Sequence, residues 1–352
     1  MTVKAPFPWF GGKRRVADVV WRAFGPDVPN YVEPFAGSLA VLLGRPGGPG
    51  KIETVNDRDR YLANFWRAVS ADPADVARHA DWPVNEADLH ARHRWLVDQL
   101  PYLREQMHVD PDFFDVKIAG FWVWGICQWI GDGWCVEPNN HKHPKFDGIG
   151  KGVHANAAHL SQQLPHLSVT DSCAGRGVHS HQRLAQGTHL PSLGNDRGLH
   201  GVSAPPCTDW FLELQARLRR VRVACGDWKR VVSPSVLGKG KNVGGRRPCA
   251  VFLDPPYSHE FRDPGMYSED DANISALVRE WALEHGDDPD LRIALCGYAG
   301  EHEMPTSWAE HAWKAARGYA AEANTNRELE RIWFSPHCLP IDEQRTLFAG
   351  VG

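Results

Sequence analysis

The sequence predicts an α/β protein: a doubly wound, mostly parallel sheet made from both ends of the chain and interrupted by a long insertion rich in helices and loops. Three observations carry this. Short β-type runs at 30–35 and 51–55 each close in a tight turn and lead into a helical stretch, the alternation that builds parallel sheets with ligand sites at the carboxyl ends of their strands. The same alternation resumes after residue 207, with strands expected at 221–225, 249–253, 291–296 and 328–334. Between the two, from Asp72 to Pro206, the strand pattern fades.

Taken in order, Asn30 to Phe35 is a strand ending at Ala36-Gly37-Ser38, and Leu39 to Leu43 starts a helix. Lys51 to Val55 is a strand closed by Asn56-Asp57-Arg58-Asp59, with a helix over 60–70. Helical stretches follow at 86–106 and 114–129, then Gly-, His- and Pro-rich sequence through 172–206. Helices are expected at 210–220 and 274–285. The domain division is therefore 1–71 with 207–352 as one unit and 72–206 as the insertion.

Composition narrows the function. With 42% hydrophobic and 23% charged residues among 352, a wholly disordered chain or fibrous repeat is excluded. No apolar run approaches the ~18 residues of a membrane helix, and Met1 to Phe10 lacks a signal-peptide layout, so a cytoplasmic protein without a membrane partner is expected. The eight cysteines contain no CxxC pair; they read as reduced core or loop residues, and no metal site is expected.

Asp254-Pro255-Pro256-Tyr257, directly after the apolar Val251-Phe252-Leu253, is the most informative run. Two prolines remove two backbone donors and fix φ, leaving a rigid turn whose carbonyls are open to a ligand. An exocyclic amine has two N–H groups to place, one on the Asp254 carboxylate and one on the Pro255 carbonyl, while Tyr257 offers a ring face to a base. Accepting both hydrogens draws the nitrogen lone pair out of ring conjugation and turns it toward an electrophile.

Four segments in order resemble the α-group adenine-N6 DNA methyltransferases, the family of the bacterial Dam enzyme. Phe7-Pro8-Trp9-Phe10-Gly11-Gly12-Lys13 is similar to the W-x-G-G-K element, and Tyr31 to Ser38 to the E-P-F-x-G-x-G cofactor loop. Val55 to Asp59 resembles the acidic turn, and Asp254 to Tyr257 the catalytic tetrapeptide. The chain departs from the pattern at Leu39, where a second glycine is usual.

The resemblance implies a Rossmann-like methyltransferase sheet with an inserted target-recognition domain, S-adenosyl-L-methionine as cofactor, and a flipped-out adenine of double-stranded DNA as substrate. It implies catalytic Asp254, Pro255, Pro256 and Tyr257. Its cofactor set is Trp9, Lys13, Glu33, Pro34, Phe35, Gly37, Ser38 and Asp57, with Asp254 and, at the end of another strand, Asp227 and Trp228. Gly37 admits close backbone approach at a helix start. Asp57 is placed like the acid that takes ribose hydroxyls, with Asp59 competing for the role. A carboxylate and an indole face at 227–228 suit an adenine ring.

Net charge is only −4, yet it is unevenly spread. Residues 215–250 carry ten Lys and Arg against one acid, Asp227, and 263–290 nine acids against Arg279. Lys239, Lys241, Arg246 and Arg247 precede the catalytic strand and are expected to grip phosphates, with Lys142 and Lys145 of the insertion toward DNA. The aromatic run Phe121 to Trp129, like most of the 15 Trp, reads as core packing before stacking platform. A monomer or weak dimer is expected. N4-cytosine or RNA-adenine methylation, and a binding module without turnover, remain the other readings of the same motifs.

Overall fold

The computed structural model describes residues 3–9, 12–129, 134–135, 198–200, 204–239, 248–257, 273–314 and 330–341. Its sheet is made of β1 (Asn30–Glu33), β2 (Ile52–Asp57), β3 (Val221–Cys225), β4 (Cys249–Leu253), β5 (Leu291–Tyr298), β6 (Ala309–Ala312) and β7 (Glu330–Phe334), in the order β3-β2-β1-β4-β5-β7-β6. The first five are parallel; β7 runs antiparallel to β5 and to β6. Strand order turns back between β1 and β4, and at such a switch point the strand ends leave a crevice for ligands.

Period-two burial divides the side chains of the central strands between two cores. Ala250 and Phe252 of β4, Ala294 and Cys296 of β5, and Ile332 and Phe334 of β7 face one apolar cluster; Val251, Leu253, Ile293, Leu295 and Trp333 face the other. The first cluster is covered by α1 (Ala17–Phe24), α3 (Arg60–Ala71), α4 (Pro73–Ala80), α5 (Glu86–Val109), α6 (Val116–Ile126) and α7 (Cys207–Leu218), with the short α2 (Ala40–Leu43) at its edge. The second is covered by α8 (Pro234–Leu237) and α9 (Ile274–His285).

Helices α4 to α6, which the sequence divides off with the insertion, thus bury their apolar faces in the same core as the sheet. Asn64 of α3 locks α6 in place: its amide donates to the Asp115 carbonyl at 2.9 Å and accepts from the Asp115 N–H at 2.8 Å, while the Asp115 carboxylate caps α6 through Ile118 N–H. Trp122 and Trp124 are fully packed, so the aromatic run is core here. Helices α1 and α4 and strand β6 have no counterpart in the sequence reading; each spans only four to eight residues, too short for periodicity to separate from loop.

Candidate active site

Three strands deliver their last residues to one edge of the sheet. Ala36 N–H donates to the Asn56 carbonyl, and Asn56 Nδ2 donates to the carbonyls of Pro34 at 2.9 Å and Gly226 at 3.0 Å. Asn56 therefore pins the loops after β1, β2 and β3 together. It lies inside the acidic-turn motif but was not itself assigned; an amide bridging three strand ends shows only once those ends are adjacent.

The two acids of that turn divide their work. Asp59 caps α3, accepting from the N–H groups of Tyr61 and Leu62. Asp57 faces the β1 loop instead: Oδ2 accepts from Gly37 N–H at 2.9 Å and Oδ1 from Asp59 N–H at 2.9 Å. Burial, followed by the charge of Asp59, pushes the Asp57 carboxyl up to about 7.

Gly37 has φ +46°, and a Cβ placed there would lie 2.5 Å from Trp9 Nε1. Its glycine is thus required twice, by backbone and by the indole lying against it. Trp9 is fixed through Phe7, which is buried among Phe65, Trp66 and Trp122. Leu39, standing where the family pattern has glycine, takes φ 55°, ψ 26° with its side chain fully buried. The left-handed turn is kept although leucine disfavours it by roughly 1–2 kcal/mol.

Glu33, only 2% exposed, lies beneath this loop and accepts from the Tyr31 hydroxyl at 2.8 Å. Burial dominates its titration and pushes the carboxyl up to about 8. Pro34 and Ser38 are buried, whereas Phe35 is half-buried. At the neighbouring corner Asp227 is exposed and accepts from Lys229 N–H. Trp228 is 4% exposed, packed against Phe35 and Trp281 in the second core. At this corner Phe35 is half-buried and lies against the Trp228 ring.

Beyond β4 the chain builds a charged cluster. Lys13 sits in a 3-10 turn (Lys13–Arg15) at 4% exposure, its Nζ 2.9 Å from Asp254 Oδ1 and 3.8 Å from Glu330 Oε2. Burial alone would lower the pKa of this ammonium; the carboxylates of Asp254 and Glu330 outweigh it and raise the pKa. Lys13 also lies over the rings of Tyr257 at 5.2 Å and Trp313 at 5.6 Å. The resemblance groups Lys13 with the cofactor residues; its closest carboxylate is that of Asp254.

Tyr257 donates its hydroxyl to Glu330 Oε2 at 2.9 Å, with Asp254 Oδ1 at 3.3 Å, and packs edge-on against Tyr298. Burial and then the charges of Asp254 and Glu330 drive the phenol pKa well above its ordinary value, so the hydroxyl remains a donor. Pro255 is buried and Pro256 half-buried. Glu330, Tyr298 and Trp313 went unassigned in the sequence. They meet because β7 is antiparallel to β5 with Tyr298 opposite Glu330, and Trp313 N–H donates to the Glu330 carbonyl.

Lys239 requires a correction. It pairs with Asp288 at 2.8 Å, close to the start of β5, and Val236 nearby accepts from Asn30, the first residue of β1. That is the amino edge of the sheet, opposite Asp254. Lys142, Lys145, Lys241, Arg246 and Arg247 lie outside the described residues. Among the described residues no His, Cys, Asp and Glu group could hold a metal ion, and no helix is long and apolar enough to cross a membrane.

Among curated proteins none matches the chain. Residues 9–106, the stretch that contributes Trp9, Lys13, the Gly37 turn and Asp57, match the family model of D12 class N6 adenine-specific DNA methyltransferases. The match makes residues 9–106 similar to the D12 class N6 adenine-specific DNA methyltransferases, and the matched stretch belongs to a doubly wound sheet whose switch point opens beside Asp254.

Proposed function

We propose that the protein transfers the methyl group of S-adenosyl-L-methionine to N6 of an adenine flipped out of double-stranded DNA, with Asp254, Pro255, Pro256 and Tyr257 at the reacting base. The observation that carries this reading is the junction of two half-sites at one sheet edge. The Gly37 turn and Asp57 lie on one side of the switch point, and the Lys13–Asp254–Tyr257 cluster on the other.

The first half-site fits the cofactor. The Asp57 carboxylate suits ribose hydroxyls, Asp227 offers an exposed acceptor to an adenine amine, Phe35 supplies a ring, and the Gly37–Trp9 contact makes a cradle in which even one Cβ would collide. Glu33, Pro34 and Ser38 shape that cradle from below. When bound, S-adenosyl-L-methionine supplies a methyl group already activated on sulfonium.

The chain's own residues supply position and electrostatics. Asp254 and the Pro255 carbonyl accept the two N6 hydrogens, freeing the nitrogen lone pair, and Tyr257 offers its ring to the base. The Asp254 carboxylate is the acceptor placed for the proton that N6 must shed. The remaining gain comes from orientation and exclusion of water, which are large terms when both partners are held in line. The insertion within 72–206, and the basic residues Lys142, Lys145, Lys241, Arg246 and Arg247, are assigned to DNA.

Labelled methyl transfer to genomic DNA lacking N6-methyladenine, followed by nucleoside analysis, tests this. N6-methyladenine as the product, and its loss in Asp254→Ala, is the expected result. N4-methylcytosine, or undiminished transfer by Asp254→Ala, overturns it.

A further inference from the structure

Glu330 is 3% exposed at the start of β7. Taking a carboxylate out of water costs several kcal/mol unless charge and hydrogen bonds compensate. Among the described residues the compensation comes from the Tyr257 hydroxyl at 2.9 Å and Lys13 Nζ at 3.8 Å. Both partners also contact Asp254, Lys13 at 2.9 Å and Tyr257 at 3.3 Å. The four groups form a closed ring of contacts in which Glu330 faces Asp254 across Lys13 and Tyr257.

We propose that Glu330 is a positioning residue for methyl transfer: it tethers the Tyr257 hydroxyl, which fixes the plane of the ring offered to the target base, and it holds Lys13 so that the Asp254 carboxylate keeps one orientation. This rests on the reading of Asp254 and Tyr257 given above. Tyr257 is restrained at its ring by Tyr298, 4.5 Å away edge-on; Glu330 restrains the far end. Tyr298 and Glu330 are register partners on β5 and β7, so both restraints come from one antiparallel pair. Misplacement of a reacting group by about 1 Å can lower turnover roughly a hundredfold.

The test is steady-state methyl transfer by Glu330→Gln, Glu330→Leu and Tyr257→Phe, and by the double variant Glu330→Leu/Tyr257→Phe, on genomic DNA lacking N6-methyladenine. Thermal unfolding is measured alongside. The expected result is a kcat lowered roughly ten- to a hundredfold in Glu330→Leu and Tyr257→Phe at unchanged KM for S-adenosyl-L-methionine, with a smaller loss in Glu330→Gln, whose amide oxygen still accepts from Tyr257. The double variant should lose little beyond either single one, because the two changes cut the same tether. Glu330→Leu removes one partner of a buried pair and should melt lower than the parent, so turnover is compared at a temperature where every variant is folded, and partial rescue of kcat in Glu330→Gln separates positioning from lost stability. Parent-like kcat in both Glu330 variants, or losses that multiply independently with Tyr257→Phe, overturns the role of Glu330. Methyl transfer persisting in Asp254→Ala overturns instead the reading beneath it.

Discussion

Lys13 Nζ lies 2.9 Å from Asp254 Oδ1, tying a buried lysine of the first turn to the carboxylate that ends the fourth strand. The contact joins segments 241 residues apart in sequence and is nearly sealed from water on the lysine side. An ammonium between two carboxylates neutralises charge that the fold could not otherwise hold next to Tyr257.

Removing that ammonium should therefore cost both stability and activity. Lys13→Met keeps most of the stem's packing but leaves Asp254 and Glu330 facing each other without a counter-charge. Breaking one partner of a buried pair costs about 3–5 kcal/mol, so a fall of about that size in urea unfolding is expected, with methyl transfer reduced by at least roughly a hundredfold. A variant as stable as the parent would contradict the pairing.

The cofactor cradle makes a steric prediction. Gly37→Ala places a methyl group where Trp9 Nε1 lies, 2.5 Å from the new Cβ, on a backbone with φ +46°. Affinity for S-adenosyl-L-methionine, measured by calorimetry, should fall at least about tenfold, or about 1.4 kcal/mol. Adding Trp9→Ala should not restore it fully, because the left-handed backbone still disfavours alanine.

Leu39 sets two effects of opposite sign against each other. Leu39→Gly relieves a left-handed leucine, worth roughly 1–2 kcal/mol, but removes a fully buried side chain, which costs about 2–5 kcal/mol in a packed core. The second is larger, so the glycine variant should unfold at lower urea, by about 2 kcal/mol, even though glycine is the residue the family pattern uses. A stabilised variant would show that the backbone strain outweighs the packing.

These residues also show what a sequence can reveal. The Gly37 turn, Asp57 and the 254–257 run are local: each follows its own strand directly, and the chemistry of a strand-ending turn is visible in neighbouring residues. Strands β3 and β4 and helix α9 lie where periodicity puts them. Glu330 was not legible, because its place depends on β7 pairing antiparallel with β5 across 32 residues of sequence. The resemblance singles out Lys13, but without it a Lys-Arg-Arg run reads as solvated charge, and only tertiary packing buries Lys13. The edge that Lys239 reaches was hidden for a related reason: charge density along the chain does not say which edge of the sheet receives it. Trp228 follows β3 as its sequence position requires, but that Phe35 lies against it shows only in the fold.

Titration of Glu33 makes the pH dependence of stability a test of the buried loop. Its carboxyl rises from an ordinary 4.5 to about 8 in the folded chain, chiefly through burial. Between these values the folded protein keeps a proton on Glu33 that the unfolded chain has released, so the folded state binds more protons and stability falls as pH rises. This contribution is fully present below about 4.5 and gone above about 8. Asp57, raised from 3.8 to about 7, adds a slope of the same sign over a lower window. Urea midpoints of the cofactor-free protein, taken at intervals across these pH values, should decline toward the alkaline side. Glu33→Gln cannot ionise and should flatten the upper part of the decline, leaving the part due to Asp57. An unchanged slope in that variant would mean that Glu33 is ionised in the folded protein and that its contact with Tyr31 is made by a carboxylate.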